Sequence, residues 1–178
     1  MNKVSKKLSA GLVGLALLLL LSACGTRDES REIDLVYVEW ASEVASTNVV
    51  RVVLEKAGFD VNMTSVSAAA MWQSVATGDQ DAFVAAWLPT THGHYLERVA
   101  DQVEDLGPNL EGTRIGLVVP AYVEIDSIEE LNQHADRFQG RIIGIDPGAG
   151  IMSTTEQAIE EYGLNLSLME GSDATMTG

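Results

Sequence analysis

The sequence of 178 residues predicts an α/β fold with mainly parallel sheets. Candidate strands and candidate helices alternate along the chain, which is typical of parallel strands joined by crossover helices. Two candidate strands, 82–86 and 114–119, are dominated by apolar residues, as expected for strands that are buried on both faces. Three of the five longer candidate helices end before a glycine, a common stop signal.

The first predicted strand and helix lie between residues 33 and 57. Residues 33–38 (IDLVYV) are rich in β-branched and aromatic side chains, which favour a strand. Residues 42–57 carry apolar side chains near helical spacing and therefore predict a helix. Ser42 is its possible N-cap, and Gly58 is its expected stop.

The next predicted elements alternate in the same way. Residues 61–66 predict a second strand, and residues 67–77 (SAAAMWQSVAT) predict a helix that ends before a glycine. The apolar strand at 82–86 then leads through a proline-containing loop, 88–93, into a helix at 94–102.

The last predicted elements extend to the end of the sequence. They are a strand at 114–119, a short helix at 128–134, a strand at 141–145, a helix at 153–162 and a strand at 165–169. Residues 171–178 (GSDATMTG) begin a further helix. Because no sequence follows to pack against that helix, we expect the chain to be a truncated form of a longer protein.

The composition excludes several classes of function. The chain has 11 Lys and Arg against 26 Asp and Glu, a net charge of −15, so its surface repels phosphate and we expect no nucleic-acid binding. The sequence contains no G-x-S-x-G and no other nucleophile–base arrangement, and it has a single cysteine. We therefore expect neither an enzyme nor an intrachain disulfide, and no cofactor.

The N-terminus predicts export from the cytoplasm. Lys3, Lys6 and Lys7 precede an apolar run at 8–21, which has the length of a secretory signal rather than that of a membrane span. The following Leu-Ser-Ala-Cys24 resembles the lipobox of bacterial lipoproteins, although an ordinary cleavage site beside an unrelated thiol would look similar. We expect residues 1–23 to be a lipoprotein signal peptide. Residues 24–32 would then be a spacer that tethers the protein to a membrane through lipid on Cys24.

Three features lie where predicted strands end, at the edge where open parallel sheets bind ligands. Trp40 follows the strand at 33–38, Trp87 follows the strand at 82–86, and the turn 146–151 (DPGAGI) follows the strand at 141–145. Indole faces attract quaternary ammonium groups, and free amides at a helix start hold anions. With His92 as a further donor to the anion, these features indicate a site for a zwitterion.

Each of these features also has a simpler interpretation. A tryptophan at a strand end is commonly a core residue, and DPGAG could be only a tight turn. Trp72 lies within a predicted helix, and we interpret it as core packing. His92 and His94 could form a metal pair, although no clear third ligand accompanies them and we predict no metal site.

Three motifs make the prediction more specific. The stretches YVEWASEVASTNVV, AAMWQSVATGDQDAFVAAWLPTTHGHY and IGIDPGAGIM closely resemble the glycine betaine-binding proteins of osmoprotectant ABC importers. The resemblance implies a two-lobed, type II solute-binding fold that delivers its ligand to an ABC permease. We expect lobe 1 at 33–120, a crossover segment at 121–140 and an incomplete lobe 2 at 141–178.

The resemblance also implies roles for individual residues. Trp40 and Trp87 match the family tryptophans that form a cage around the trimethylammonium group. His92 matches the histidine that donates to the ligand carboxylate, and Gly150 and Ile151 match the backbone amides that do the same. Members of the family continue past the A-x-M-T segment to a third cage tryptophan, which these 178 residues lack.

Other ligands remain possible at this stage. Choline and carnitine are recognised by proteins of the same class, although choline has no carboxylate for His92 and the amides to bind. A different class of function, metal binding outside the cytoplasm, would be based on His92 and His94.

Overall fold

The computed structural model describes residues 31–177. The predicted signal peptide, Cys24 and most of the spacer at 24–32 lie outside the described residues. In the described part, no helix is both long enough and apolar enough to cross a membrane.

Strands and helices alternate through most of the described chain. In order they are β1 (Glu32–Tyr37), α1 (Ala41–Lys56), β2 (Asp60–Ser65), α2 (Ala68–Thr77), α3 (Gly93–Val99), a 3₁₀ helix (Ile128–Phe138), β3 (Arg141–Ile143), α4 (Gly150–Glu161), β4 (Ser167–Met169) and α5 (Asp173–Thr177). Strands β1 and β2 form one two-stranded sheet, and β3 and β4 form another. The second sheet is parallel, with Ile142 opposite Leu168. The predicted α/β class is thus confirmed.

The strand predicted at 82–86 is wrong except at its first residue. Ala82 forms a single parallel bridge with Leu35, and its carbonyl accepts the Val36 N–H at 3.0 Å. The ladder does not continue beyond this bridge, and at Val84 the carbonyl accepts the side chain of Asn109 at 2.9 Å. The segment therefore pairs with β1 at a single residue.

The strand predicted at 114–119 is also wrong. Its residues alternate in burial: Leu117 and Val119 pack on a core, whereas Val118 is 95% exposed. The segment is not a strand, although its apolar residues indicated a buried one. Only alternate side chains of the segment pack on the core.

Helix α1 forms as predicted, but it begins one residue earlier than expected. Its N-cap is Trp40 rather than Ser42, and the Ala41 N–H donates to Asp173 Oδ2 at 2.9 Å. A carboxylate from far along the sequence therefore occupies the start of the helix, where an anion is favoured by the helix dipole.

Two apolar clusters form the core. The first joins the end of β1 and helix α2 to the β3–α4 region; its buried residues are Val36, Val38, Trp40, Ala68, Met71, Trp72, Val99, Ile145, Ala149 and Met152. The second is built on Leu131, Leu164 and Leu166, under the 3₁₀ helix. Because the first cluster includes Trp40 and Ala149, it supports both sides of the predicted ligand site. The lobe boundaries at 33–120, 121–140 and 141–178 stay a prediction.

Candidate functional site

Two predicted cage residues meet at one corner of the first core. Trp40 follows β1 as the N-cap of α1 and is 5% exposed, whereas Trp87 is 46% exposed. Their ring centroids are 5.9 Å apart, with an angle of 66° between the planes. An edge-to-face pair of this kind gives two walls at a steep angle rather than two parallel plates.

The loop that carries Trp87 is closed on itself by hydrogen bonds. The Trp87 N–H donates to His92 Nδ1 at 3.0 Å, and the His92 N–H donates to the Trp87 carbonyl at 3.0 Å. The Thr91 hydroxyl donates to the same carbonyl at 2.9 Å. These contacts hold His92 against Trp40, with ring centroids 5.9 Å apart and planes 30° apart.

His92 is buried and is held in its neutral form. Burial is the main cause that lowers the pKa of His92 to about 4; the nearby His94 acts in the same direction, and the backbone of Ala85 opposes it. Because Nδ1 accepts the Trp87 N–H, the single proton of the neutral ring lies on Nε2. Nε2–H is therefore the one ring donor of His92, and a hydrogen bond with the Ala85 backbone competes for it.

The turn 146–150 lies against the tryptophan corner at three points. Asp146 Oδ2 accepts the Trp40 Nε1–H at 3.1 Å, and the Gly148 carbonyl accepts the Tyr95 hydroxyl at 2.6 Å. At Gly150 a Cβ atom would lie 1.9 Å from the Thr91 carbonyl oxygen. Only glycine permits this close approach, which brings the start of α4 next to His92.

The first two amides of α4 have no hydrogen-bond acceptor in the described part of the chain. Among the described residues, neither the Gly150 N–H nor the Ile151 N–H donates to an acceptor. Since α4 has 12 residues, its dipole favours an anion at this end. Gly150 lies against Thr91, the residue before His92, and Ile151 packs against the first core.

A cavity of about 250 Å³ opens beside Trp40. Its walls come from the ends of β1 and β2, the start of α2 and the turn after β3; they are Val38, Glu39, Trp40, Ser65, Val66, Ser67, Ala68, Asp146, Pro147 and Ala149. Among the residues of 31–177, two carboxylates and no basic side chain line this cavity, so its charge suits a cation rather than an anion.

The structure separates the alternative roles of the remaining aromatic and histidine residues. Trp72 is 3% exposed and contacts Phe83 with ring centroids 4.8 Å apart, so the prediction that it packs in the core is confirmed. The exposed ring of His94 lies 3.9 Å from the Tyr95 ring. Within residues 31–177 no three His, Cys, Asp or Glu side chains converge as metal ligands, so the structure gives no support to the metal hypothesis.

The sequence gives no sign that two further residues contribute to this corner. Asp146 was part of a noted turn, but its bond to Trp40 spans 106 residues of sequence. Tyr95 was assigned only to a helix, and its bond to Gly148 spans 53 residues. No local pattern points to either pairing, because the partners meet only in the folded chain.

Comparisons with known proteins give the chain a family. The model of the substrate binding domain of ABC-type glycine betaine transport systems matches residues 31–178. The glycine betaine/carnitine transport binding protein GbuC of Listeria monocytogenes is 50% identical over 101 residues, which are 56% of this chain and 34% of that protein.

Two solved structures share the fold. ProX of Borrelia burgdorferi, a glycine betaine, L-proline ABC transporter binding protein, has a TM-score of 0.79 at 42% identity over 82% of this chain. Lactococcal OpuAC in its closed conformation, complexed with glycine betaine, has a TM-score of 0.76 at 42% identity over 82% of this chain. The chain spans 56% and 57% of these two proteins, so it spans about a third to just over half of the three relatives described. The predicted solute-binding fold is confirmed.

Proposed function

Because the chain belongs to the family of substrate-binding domains of ABC-type glycine betaine transport systems, we propose that it binds glycine betaine. The proposed ligand class is a quaternary-ammonium zwitterion that is captured outside the cytoplasm and passed to an ABC permease for osmoprotection. The family is one of transport proteins and not of enzymes.

The tryptophan corner supports the cationic half of the proposal. A trimethylammonium group has no hydrogen to donate, so it is recognised by π faces and negative charge. Trp40 and Trp87 offer two indoles at 66°. The cavity that Trp40 lines also has two carboxylates in its walls, although Trp87 does not line it. Each indole contributes roughly 0.5–2 kcal/mol to the binding of such a cation.

The start of α4 supports the anionic half. The Gly150 and Ile151 amides have no acceptor among the described residues, and His92 is neutral with its proton on Nε2. The two amides could therefore share one carboxylate, helped by the helix dipole. The His92 Nε2–H would join them in exchange for its hydrogen bond with the Ala85 backbone.

The observation that supports the proposal most strongly is the close approach of Gly150 to Thr91. It places the free amides of α4 next to His92, whose ring lies against Trp40. A cation subsite and an anion subsite are thus adjacent, as a small zwitterion requires.

Related ligands are separated by the same chemistry. Choline has the trimethylammonium group without a carboxylate, so it would leave the amides and His92 unpaired, and we expect weaker binding. Carnitine has both groups but is longer and carries a hydroxyl. It is the second candidate, and the similarity to GbuC, whose name includes carnitine, favours it.

The proposed location follows from the N-terminal sequence. Cleavage before Cys24 and lipidation of its thiol would hold the protein at the outer face of the membrane, within reach of a permease. Metabolic labelling with a palmitate analogue tests this, because a Cys24→Ala variant would lose the label.

Calorimetric titration with glycine betaine tests the ligand proposal. We expect saturable binding, weakened about two- to thirtyfold by Trp87→Ala because one π wall is lost. Tyr122→Ala is the matched control, because Tyr122 is 77% exposed and, unlike Trp87, is not paired with the Trp40 ring, so the variant should bind as the parent does. Absence of betaine binding in a correctly folded parent protein would overturn the proposal.

A further inference from the structure

We propose that Asp146 is a positioning and specificity-determining residue of this site. Its carboxylate fixes the Trp40 indole, and its charge makes the site prefer a quaternary ammonium to a neutral group of the same shape. The inference rests on the proposed function and deepens it, because it names the group that discriminates charge at the cation subsite.

The positioning role follows from one hydrogen bond. Trp40 has a single ring donor, and that donor is used by Asp146 Oδ2 at 3.1 Å. The buried Trp72 offers a contrast, because its Nε1–H has no partner among the described residues. Of these two buried indoles, only the one at the proposed ligand site is held by a carboxylate.

The carboxylate is itself held in place. Gly148, two residues after Asp146, accepts the Tyr95 hydroxyl at 2.6 Å, and Gly150 abuts the Thr91 carbonyl. The turn is therefore fixed independently of Trp40. Asp146 can therefore act on the orientation of the indole, in addition to the packing of Trp40 in the first core.

The specificity role follows from charge. Asp146 lines the same cavity as Trp40, together with Glu39 and with no basic side chain. A carboxylate that accepts an indole N–H also shifts electron density towards the ring, which strengthens its attraction for a cation. Glu39 differs in that its carboxylate accepts from the Tyr37 hydroxyl at 3.0 Å and has no bond to the indole.

A ligand pair isolates the charge. Glycine betaine and 3,3-dimethylbutanoate share their shape and carboxylate, but the second has a neutral carbon in place of the cationic nitrogen. Dissociation constants for both ligands would be measured with the parent protein, Asp146→Asn and Asp146→Ala, each with and without Trp40→Phe. Asparagine keeps an acceptor oxygen and removes the charge, alanine removes both, and phenylalanine removes the indole donor.

We expect Asp146→Asn to weaken betaine about three- to tenfold and to leave dimethylbutanoate unchanged, since the site is partly open to solvent. Asp146→Ala should weaken both ligands further, and this extra loss should vanish in the Trp40→Phe background. Equal losses for the two ligands in Asp146→Asn would overturn the charge role. An extra loss that persists without the indole donor would overturn the positioning role.

A measurement without ligand completes the test. The proton shift of the Trp40 Nε1–H in an NMR spectrum reports its hydrogen bond, so it should move upfield in Asp146→Ala and much less in Asp146→Asn. An unchanged shift in Asp146→Ala contradicts the positioning role even if the neutral ligand binds too weakly to measure. A parent protein that does not bind betaine overturns the proposed function, whereas betaine binding that is insensitive to Asp146 overturns this inference alone.

Discussion

At the scale of single residues, Glu43 combines full burial with an ionisable group. It is 0% exposed in the first turn of α1, and neither carboxylate oxygen has a hydrogen-bond partner among the described residues. Burial raises the pKa of Glu43 to about 7, while the backbone of Val38 acts in the opposite direction. The folded protein therefore keeps a proton on Glu43 at pH values where the unfolded chain has lost it.

The sign of this effect gives a prediction. Between pH 4.5, the ordinary pKa, and about 7, the folded state binds more protons than the unfolded state, so the free energy of unfolding falls as the pH rises. Because glutamine does not ionise, Glu43→Gln removes this fall in the free energy of unfolding. Relative to the parent, we expect the variant to gain about 1–3 kcal/mol in the free energy of unfolding between pH 4.5 and pH 8, measured by urea denaturation.

Two features make that comparison clean. The lowered pKa of His92 acts in the other direction, because it reduces the free energy of unfolding as the pH falls from 6.5 towards 4. Since His92 is present in both proteins, its contribution cancels in the comparison. Thr47→Val is the matched control, because Thr47 is also fully buried on α1 and carries no charge. A difference between Glu43→Gln and the parent that is the same at both pH values would contradict the assignment.

At the scale of elements, the turn between β3 and α4 depends on glycine at position 150. A Cβ atom there would lie 1.9 Å from the Thr91 carbonyl oxygen and 2.8 Å from the Thr91 Cβ. The obstacle is backbone that is already bonded into the closed loop of Trp87 and His92, so it cannot move aside without breaking that loop.

Gly150→Ala should therefore displace the turn. We expect a loss of about 1–3 kcal/mol in the free energy of unfolding and weaker betaine binding, measured by thermal denaturation and calorimetry. Gly93→Ala is the control, because no atom lies within 4 Å of its added Cβ and its effect should be neutral or slightly stabilising. Equal effects of the two substitutions would show that the contact with Thr91 is not important.

The helices show which features of the fold can be predicted from the sequence. Periodicity and glycine stops predict α1, α2 and α4, because these signals are local. They do not predict which face of α1 is buried: Glu43 and Thr47 face inward, whereas Val49 and Val53 are 63% and 60% exposed. The packing of distant segments determines which face of α1 is buried. It also determines that residues 82–86 and 114–119 do not form strands.

At the scale of the whole molecule, the first core holds both halves of the candidate site. Its buried residues include Trp40 and Val38 from the β1 end, and Ile145 and Ala149 from the β3 end. Residues far apart in the sequence are thus fixed on one apolar cluster, which places two indoles, a neutral histidine and two free amides at one corner.

The molecule also shows why the candidate site is predictable from the sequence only in part. Trp40, Trp87, His92, Gly150 and Ile151 lie in motifs that the sequence displays directly. Asp146 and Tyr95 act on partners 106 and 53 residues away, and Asp173 bonds the start of α1 from 132 residues away. Such pairings depend on the folded arrangement, so no local motif records them.

The most direct test of the central claim is to locate bound glycine betaine by NMR. We predict nuclear Overhauser effects from the trimethylammonium protons to the indole protons of both Trp40 and Trp87. The amide resonances of Gly150 and Ile151 should shift on saturation, while the Trp72 indole shows no contact with the ligand. Saturated protein whose ligand contacts lie elsewhere, or which leaves the Trp40 and Trp87 indoles without contacts, would contradict the account.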